Sequence, residues 1–322
     1  MIENKNNQKL YICIFGYGSM GQRYTKLLDK NYKNLNIFVV SKKRISHNNT
    51  KNSVYFITSF SKIKNYKFDV IFICTPANKH LEIANRMIAS GVKNIFIEKP
   101  LSGNYKESKK FYDLHKRKKI NLFVGYLFKF DDVAKKFKFF LENKLIGNIY
   151  SVNCYCGSYL PSWRKKITDT SIKKDSGGGV LLELSHEIHY LIWFFKSLEI
   201  VGSHMNNSKF IKKMNVEDSA NLIFKKKNFF INLHLNFHQK FNERYIIING
   251  SKCSIRWDLT NRIIIKYENN KKVIYKSKGS LEKAYIDQLN FFMKNLNNFD
   301  INQKNFKDSL EVMKMIEGIK KF

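Results

Sequence analysis

The sequence has no apolar run long enough to cross a membrane, and it contains few cysteines. No uninterrupted apolar stretch approaches the roughly 18 to 20 residues that a membrane-spanning helix needs. Residues 1–9 are polar and resemble neither a signal peptide nor a transit peptide. The 5 cysteines are an odd number at scattered positions, which is typical of a reducing compartment. We therefore predict a cytoplasmic protein that does not act at a membrane.

Arginine is also scarce, although the chain is strongly basic. The formal net charge is +32, yet only 8 of the 58 basic residues are arginine. Recognition of nucleic acids relies heavily on the arginine fork, and the lysines here are spread along the whole chain. We therefore predict no nucleic-acid partner, and we expect the charge to attract anionic small molecules into a cleft. Cys154 and Cys156 alternate with Asn153 and Tyr155, so they would share one face of a strand. No second Cys/His pair lies at ligand spacing, so no metal site is predicted.

The chain changes character at about residue 125. Before it, short apolar runs such as 10–15, 69–74 and 94–97 alternate with helical patterns, which is typical of a parallel sheet covered on both faces. After it, runs such as 229–238 alternate apolar with mostly polar residues, as antiparallel strands do. We predict an α/β protein with an N-terminal Rossmann domain (1–124) built on a doubly wound parallel sheet. A C-terminal α+β domain (125–322) would hold a large, mainly antiparallel, open-faced sheet, and closing helices at about 283–319 could pack back on the first domain.

A glycine-rich turn follows the first predicted strand and opens a helix. This context strengthens a G-x-G-x-x-G motif, because the glycines permit a tight turn and the close approach of a pyrophosphate. The helix N-terminus supplies free amide donors and the positive end of the helix dipole. We predict that the turn binds a dinucleotide through Gly16, Tyr17, Gly18, Ser19, Met20 and Gly21.

Acidic residues are absent from Lys30 to Phe68. A carboxylate that binds the adenosine ribose hydroxyls normally lies about twenty residues after the glycines, and Ser41 occupies that place. Lys42 and Arg44 follow it in a basic stretch that suits a 2′-phosphate. We therefore predict that NADP(H) is preferred over NAD(H).

Further motifs follow the glycine turn in a fixed order. They are Cys74-Thr-Pro-Ala-Asn-Lys-His80, Glu98-Lys-Pro100, Gly125-Tyr126 with Lys129-Phe130, and Gly177-Gly-Gly179 leading into Glu183 and His186. With these motifs the chain resembles the Gfo/Idh/MocA oxidoreductase family along nearly its whole length. The resemblance implies that Lys99 lies beside the nicotinamide and the substrate hydroxyl, and that His186 is the second catalytic residue. It implies further cofactor contacts from Cys74, Thr75, Pro76, Asn78, His80, Glu98 and Lys99.

The helix after the glycine run departs from the family pattern. Family members typically carry an Asp and a His four residues apart, whereas Glu183 and His186 are three apart. We predict one helix from Val180 to Phe195, on which residues three apart share a face, so Glu183 is included as a catalytic candidate. Whether Glu183 or His189 joins His186 stays open.

The resemblance also implies a substrate class. The segment from Tyr159 to Arg164 is similar to one in family members of surface-polysaccharide sugar pathways, where Trp163 could stack on a sugar ring and Arg164 could bind an anion. An exposed loop is the alternative. The implied substrate-binding residues are Tyr126, Lys129, Trp163, Arg164 and His186.

The predicted function is hydride transfer between nicotinamide and a secondary alcohol or ketone of a sugar, sugar acid or nucleotide sugar, in surface-glycan biosynthesis. The half-polar sheet would form a homodimer or homotetramer surface. Two alternatives remain, an NAD-dependent glycosidase of the same fold and a non-catalytic nucleotide-binding protein. The glycosidase would show no net turnover of added nicotinamide, and the binding protein would lose nothing measurable on Lys99→Ala.

Overall fold

Two β-sheets organise the chain, and its contacts divide it into two units. The computed structural model describes residues 9–41, 51–63, 66–163 and 169–322. The first unit comprises Met1–Gly125 and Leu289–Leu310, and the second comprises Tyr126–Gln288 and Glu311–Phe322. Within the described ranges, no helix combines the length and the apolar character that a membrane crossing requires.

The first unit is built on parallel strands. They are β1 (Leu10–Phe15), β2 (Leu35–Val40), β3 (Ser53–Ile57), β4 (Val70–Ile73), β5 (Asn94–Ile97) and β6 (Asn121–Val124), and the helices between them are α1 (Ser19–Asn31), α2 (His80–Ala89) and α3 (Tyr105–His115). The strand order is β3-β2-β1-β4-β5-β6, with every neighbouring pair parallel. The predicted doubly wound sheet is confirmed. The order reverses between β1 and β4, and ligands of such sheets bind outside the carboxyl ends of the strands at that point.

An aromatic cluster forms the centre of this unit. The ring of Phe96 on β5 lies 4.9 Å from that of Tyr24, 5.1 Å from that of Phe72 and 5.3 Å from that of Phe123, measured between centroids. The ring of Phe292 lies 5.4 Å away. All five side chains are buried, and burial of each contributes roughly 1.5 to 3 kcal/mol. The cluster gives the carboxyl ends of β4 and β5 a rigid base.

The second unit is built on an eight-stranded sheet. Its strands are β7 (Ile149–Tyr159), β8 (Glu199–Asn206), β9 (Ser219–Lys226), β10 (Phe229–Asn236), β11 (His238–Gly250), β12 (Ser254–Asp258), β13 (Ile263–Tyr267) and β14 (Lys271–Lys276). The order is β14-β13-β12-β11-β7-β10-β9-β8, in which only β7 and β10 pair in parallel. The predicted, mainly antiparallel sheet is confirmed. On β10, Ile231, Leu233 and Leu235 are buried whereas Phe230 and Asn232 are exposed, as the alternating sequence predicts.

The remaining helices follow in chain order. They are α4 (Asp132–Glu142), α5 (Leu160–Trp163), α6 (Asp169–Ile172), α7 (Val180–Glu183), α8 (Ser185–Phe195), α9 (Leu281–Lys294) and α10 (Phe299–Lys321). Tyr190 of α8 packs on the buried face of the second sheet, where its hydroxyl lies 2.9 Å from the sulfur of Cys154.

The single helix predicted from Val180 to Phe195 is wrong, because the helix is broken at Leu184. That residue has φ −97° and ψ 27°, and its carbonyl accepts a hydrogen bond from the Glu187 N–H, three residues later, at 3.2 Å. The apolar periodicity continues through Leu184, so it gives no sign of the break. Glu183 and His186 therefore lie on two successive helices, and the prediction of a shared helical face fails.

Candidate functional site

The glycines of the first turn have different structural roles. Gly16 has φ +91°, and a Cβ atom there would lie 2.7 Å from the Cys74 carbonyl oxygen. A Cβ atom on Gly21 would lie 2.0 Å from the Gly16 carbonyl oxygen. At Gly18, φ is −73° and no atom lies within 4 Å of the Cβ position. Gly16 and Gly21 thus shape the turn, while Gly18 leaves space above it.

This space fits the pyrophosphate of a dinucleotide. Gly18 and Ser19 are exposed, α1 begins at Ser19, and its first turn holds no acidic residue that would repel an anion. Met20 is half-buried beside them. Because the first N–H groups of a helix lack intrahelical acceptors, the positive end of the helix dipole and these donors favour a bound phosphate.

Of the residues predicted to bind the adenosine ribose, the structure describes Ser41. Ser41 follows β2, and its N–H donates to the Ile57 carbonyl oxygen at 2.9 Å. The ring of Tyr17 meets that of Phe56 edge-on at 5.1 Å. Lys42 and Arg44, which support the NADP(H) prediction, fall outside the described residues.

Two loops after β4 and β5 bring further predicted residues together. Cys74 extends the sheet through an N–H that donates to the Phe15 carbonyl oxygen, and Thr75 and Pro76 follow it. Asn78 lies in the short 3-10 helix Ala77–Lys79. His80 begins α2 and is buried, with Nδ1 2.9 Å from the Pro100 carbonyl oxygen and Nε2 2.8 Å from that of Thr75.

Burial controls the ionisation of His80. It lowers the pKa of the ring, while hydrogen bonds with the Thr75 and Pro100 carbonyl oxygens act in the opposite direction. A neutral imidazole donates from one nitrogen only, whereas two carbonyl acceptors favour a ring that carries two protons. Whichever form is present, both nitrogens face the backbone of the two loops.

Glu98 is buried directly before Lys99. Its Oε1 accepts a hydrogen bond from the Tyr24 hydroxyl at 2.7 Å, and its Oε2 accepts one from the Lys99 N–H at 3.2 Å. Burial raises the pKa of Glu98, whereas the Tyr24 hydrogen bond and the charge of Lys99 oppose that shift. Burial, followed by the charge of Glu98, raises the pKa of the Cys74 thiol well above its usual range. Lys99 itself is half-buried, two residues beyond the end of β5.

Aromatic rings and histidines form a cluster in the second unit. The rings of Tyr126 and His189 stack with centroids 4.1 Å apart and an interplanar angle of 4°. His186 is half-buried and meets the rings of Tyr126 and Phe128 edge-on at 5.7 and 5.2 Å. Burial, with a smaller contribution from the charge of Lys129, lowers the pKa of His189 well below its usual range. His189 is therefore a neutral, enclosed ring that supports Tyr126.

A buried ion pair behind this cluster was not predicted from the sequence. The carboxylate of Glu187 is fully buried and accepts a hydrogen bond from Arg244 Nε. The Arg244 guanidinium lies 4.6 Å from the ring centroid of Phe128. Burial would lower the pKa of Arg244, but the charge of Glu187 outweighs that effect and raises it. The available signal was Glu187 itself, an acidic residue in an apolar helix, which needs a cationic partner when buried.

Two more of the predicted residues have other contacts in the second unit. Glu183 is half-buried, and its Oε1 accepts a hydrogen bond from the Ser171 hydroxyl at 2.6 Å. Trp163 donates from Nε1 to the Ser158 hydroxyl at 3.2 Å, and its ring meets that of Phe237 edge-on at 5.4 Å. Arg164 falls outside the described residues.

Comparison with known proteins identifies the family. Residues 10–126 match the model of the oxidoreductase family with an NAD-binding Rossmann fold. Residues 135–256 match the model of the GFO/IDH/MocA C-terminal domain. The chain belongs to the Gfo/Idh/MocA family. The resemblance noted in the sequence is thus confirmed, and with it the assignment to an NAD-binding oxidoreductase family.

Curated members of the Gfo/Idh/MocA family are distant from this chain. An uncharacterized oxidoreductase of Streptococcus pneumoniae is 25% identical over 199 residues, which cover 60% of this chain and 53% of that protein. Levoglucosan dehydrogenase of Pseudarthrobacter phenanthrenivorans is 30% identical over 142 residues, covering 42% of this chain and 35% of that protein. The chain thus spans about half the length of the first relative and about a third of the second.

Solved Gfo/Idh/MocA structures share the fold over nearly the whole chain. Levoglucosan dehydrogenase in complex with NADH superposes with a TM-score of 0.80 at 17% sequence identity, and the match covers 98% of this chain and 96% of that one. At this identity the likeness concerns the fold alone.

Proposed function

We propose that the chain is an NAD(P)-dependent oxidoreductase acting on a secondary alcohol or ketone of a sugar, sugar acid or nucleotide sugar. The observation that supports this proposal is the position of Lys99. It follows the carboxyl end of β5, in a doubly wound sheet whose glycine turn has room for a pyrophosphate. Ligands of such sheets bind outside the carboxyl ends of the strands. The sugar class is supported by the name of the levoglucosan dehydrogenase relative.

The proposed chemistry divides between a lysine and a histidine. Oxidation of an alcohol needs a base that removes the hydroxyl proton, and reduction needs the same group as an acid. We assign the transfer of that proton to His186, because its ring is half-buried and contacts the rings of Tyr126 and Phe128. Lys99 orients the substrate oxygen or shares in the proton transfer. Glu183, at the end of α7, is the third proposed catalytic residue. When bound, the nicotinamide supplies the hydride acceptor or donor.

We propose that NADP(H) is preferred over NAD(H). Ser41 stands at the end of β2, where a carboxylate would otherwise bind the ribose, and Lys42 and Arg44 follow it in the sequence. A serine and cations suit a 2′-phosphate better than they suit two ribose hydroxyls. The remaining proposed cofactor contacts are Gly16, Tyr17, Gly18, Ser19, Met20, Gly21, Cys74, Thr75, Pro76, Asn78 and Lys99. The polar atoms of His80 and Glu98, which were also predicted to contact the cofactor, contact protein atoms instead.

We propose a role in surface-glycan biosynthesis in the cytoplasm, because the segment from Tyr159 to Arg164 is similar to one in family members of such pathways. The proposed substrate contacts are Tyr126, Lys129, Trp163, Arg164 and His186. Trp163 already packs against Phe237, so only the part of its ring that stays exposed could meet a sugar. All 5 cysteines are free thiols, which suits a reducing compartment.

The open face of the second sheet is the proposed homodimer or homotetramer surface. Phe230 and Ile223 on this face are 51% and 41% exposed. Exposed apolar side chains that lie close together can form an association surface. Tyr155 stacks on His234 and on Tyr245 across neighbouring strands, at 5.1 and 5.6 Å between centroids. Light scattering after gel filtration tests this surface, with Phe230→Lys expected to yield monomers.

A substrate screen tests the proposed activity. Sugars, sugar acids and nucleotide sugars are incubated with each oxidised cofactor, and their keto forms with each reduced one, while the absorbance of the reduced cofactor is followed. We expect turnover of one of these three compound classes, with a higher kcat/KM for NADP(H) than for NAD(H). A kcat/KM about tenfold higher with NAD(H) would overturn the cofactor preference. Tight cofactor binding without absorbance change for any compound would count against the oxidoreductase proposal.

A further inference from the structure

Two predicted cofactor contacts, His80 and Glu98, have their polar atoms turned towards protein rather than towards a ligand. We propose that His80 and the Tyr24–Glu98 pair are positioning residues, which fix the backbone of Lys99 from both sides. The proposal rests on the proposed role of Lys99 in hydride transfer. It assigns these three residues to the catalytic step without contact with the substrate.

His80 joins the two loops on which Thr75 and Lys99 stand. Its side chain is 1% exposed, so it has no surface left for a cofactor or a substrate. One ring nitrogen lies 2.9 Å from the Pro100 carbonyl oxygen and the other lies 2.8 Å from that of Thr75. These carbonyls belong to the loops after β5 and β4, beyond the last hydrogen bonds of the sheet. The ring thus replaces the sheet as the link between the two loops.

Glu98 holds the other side of Lys99. It is 7% exposed, and both of its carboxylate oxygens are occupied. One accepts from the Lys99 N–H at 3.2 Å, and the other accepts from the Tyr24 hydroxyl at 2.7 Å. The Tyr24 ring is itself fixed at 5.5 Å from Phe72 and 4.9 Å from Phe96, between centroids. The hydrogen bond to Lys99 is therefore anchored in the aromatic core of the unit.

These restraints matter because the lysine side chain is long and flexible. The four-carbon stem gives the ammonium group many positions, so the backbone anchor decides which of them the group can reach. Misplacement of a catalytic group by about 1 Å can cost about a hundredfold in rate. Residues that fix this anchor should therefore affect kcat more than cofactor binding.

Two substitutions of His80 separate the contacts of its two ring nitrogens. The amide nitrogen of Asn lies near the place of Nδ1, and that of Gln lies near the place of Nε2. His80→Asn should keep the link to Pro100, whereas His80→Gln should keep only the link to Thr75. We expect His80→Gln to lower kcat by about tenfold or more, with the Kd of NADPH by fluorescence titration unchanged. His80→Asn should retain most of the activity.

Hydrogen exchange supplies a readout that needs no substrate. In His80→Gln and Glu98→Ala, peptides covering residues 97–104 should exchange about tenfold faster, while peptides from β1 and α1 keep their rates. In Lys99→Ala these peptides should exchange as in the wild type, although activity is lost. If no sugar is turned over, the proposed function fails and the exchange rates still decide the positioning proposal.

Tyr24→Phe is a milder variant that should still fold, because it removes one hydroxyl and keeps the ring. Tyr24 and Glu98 should act as one unit, so Tyr24→Phe combined with Glu98→Gln should lower kcat no further than Glu98→Gln alone. Weaker NADPH binding at unchanged kcat in the His80 and Tyr24 variants would overturn the proposal. Unchanged exchange over 97–104 in all variants would overturn it as well.

Discussion

At the scale of single residues, the glycine turn separates the needs of the fold from those of the cofactor. A side chain at Gly21 would collide with the Gly16 carbonyl oxygen, whereas the space beside Gly18 is open and its backbone suits any residue. The structure therefore assigns Gly21 to the turn itself. Gly18 has no such structural need, and we attribute the glycine there to the approach of a phosphate.

Alanine at each position tests this distinction. We expect Gly18→Ala to keep the Tm of the wild type and to raise the Kd of NADPH by about tenfold, which is about 1.4 kcal/mol. Gly21→Ala should lower the Tm strongly or abolish folding, because backbone atoms would have to move. Fluorescence titration and thermal unfolding measure the two effects. Wild-type NADPH affinity in Gly18→Ala would contradict the placement of the pyrophosphate.

The sequence could predict which residues are candidates for the site, but not which atoms their side chains contact. The spacing placed Gly16, Gly18 and Gly21 in one turn between a strand and a helix, and the structure has them there. No spacing shows that both nitrogens of His80 face carbonyl oxygens, because those oxygens belong to loops that only the folded sheet brings together. For the same reason the ion pair between Glu187 and Arg244 could not be predicted, since its members are 57 residues apart.

At the scale of elements, a helix side chain completes the outer edge of the first sheet. β6 is an edge strand, and Asn305 of α10 pairs with it in place of another strand. The Val124 N–H donates to Asn305 Oδ1 at 2.6 Å, and Asn305 Nδ2 donates to the Val124 carbonyl oxygen at 3.2 Å. One amide side chain thus satisfies both backbone groups of a residue on an unprotected strand.

Asn305→Leu should leave both backbone groups of Val124 without a partner. We expect the free energy of unfolding to fall by about 1 to 3 kcal/mol, measured by urea denaturation. Lys307→Leu is the matched control, since it places leucine on the same helix at an exposed position and should change stability little. An equal loss in both variants would mean that the leucine, and not the missing amide, is responsible.

Helices and strands could be predicted where the apolar pattern is strong. The prediction was wrong where the backbone conformation alone ends a helix. The buried strands β4, β5 and β6 are short apolar runs, and they were recognised as such. The break at Leu184 was missed, because the side chains on either side of it keep the helical period. Asn94 and Asn121 are the first residues of β5 and β6, and their side chains form hydrogen bonds with the turn between α9 and α10. No periodicity in the sequence predicts these hydrogen bonds.

At the scale of the whole molecule, histidines whose pKa is lowered by burial make stability depend on pH. Burial lowers the pKa of His80, His115, His189 and His234. In the unfolded chain these rings titrate near pH 6.5, so below about that pH the unfolded state binds more protons than the folded one. The free energy of unfolding should therefore fall as the pH drops below about 6.5. Glu98, whose pKa is raised, acts in the opposite direction at lower pH.

His189→Phe isolates the largest of these contributions. Phenylalanine can keep the stack on Tyr126 but cannot bind a proton. Between about pH 7.5 and pH 5.5, the wild type should lose about 1.4 kcal/mol more in total than this variant. Urea denaturation at the two pH values measures the difference, and His204→Phe, at an exposed site, is the control. Parallel losses in the wild type and His189→Phe would contradict the assignment of a neutral ring.

The architecture was predictable at this scale because it depends on composition and period. Near-continuous apolar runs indicated the parallel sheet, and alternation indicated the second sheet. Cofactor preference is harder to predict, because it depends on a few side chains after β2 in a chain where lysine is common everywhere. The substrate depends on shape and on a few contacts, which no overall pattern encodes.

The central claim is that Lys99 takes part in the chemical step, and one substitution tests it directly. In Lys99→Met, NADPH binding by fluorescence titration should stay near that of the wild type. The kcat for the sugar found in the screen should fall by about a hundredfold or more, as expected on loss of an acid–base group. Lys93→Met, an exposed lysine just before β5, should keep wild-type turnover. A kcat of Lys99→Met within about twofold of the wild type would contradict the account.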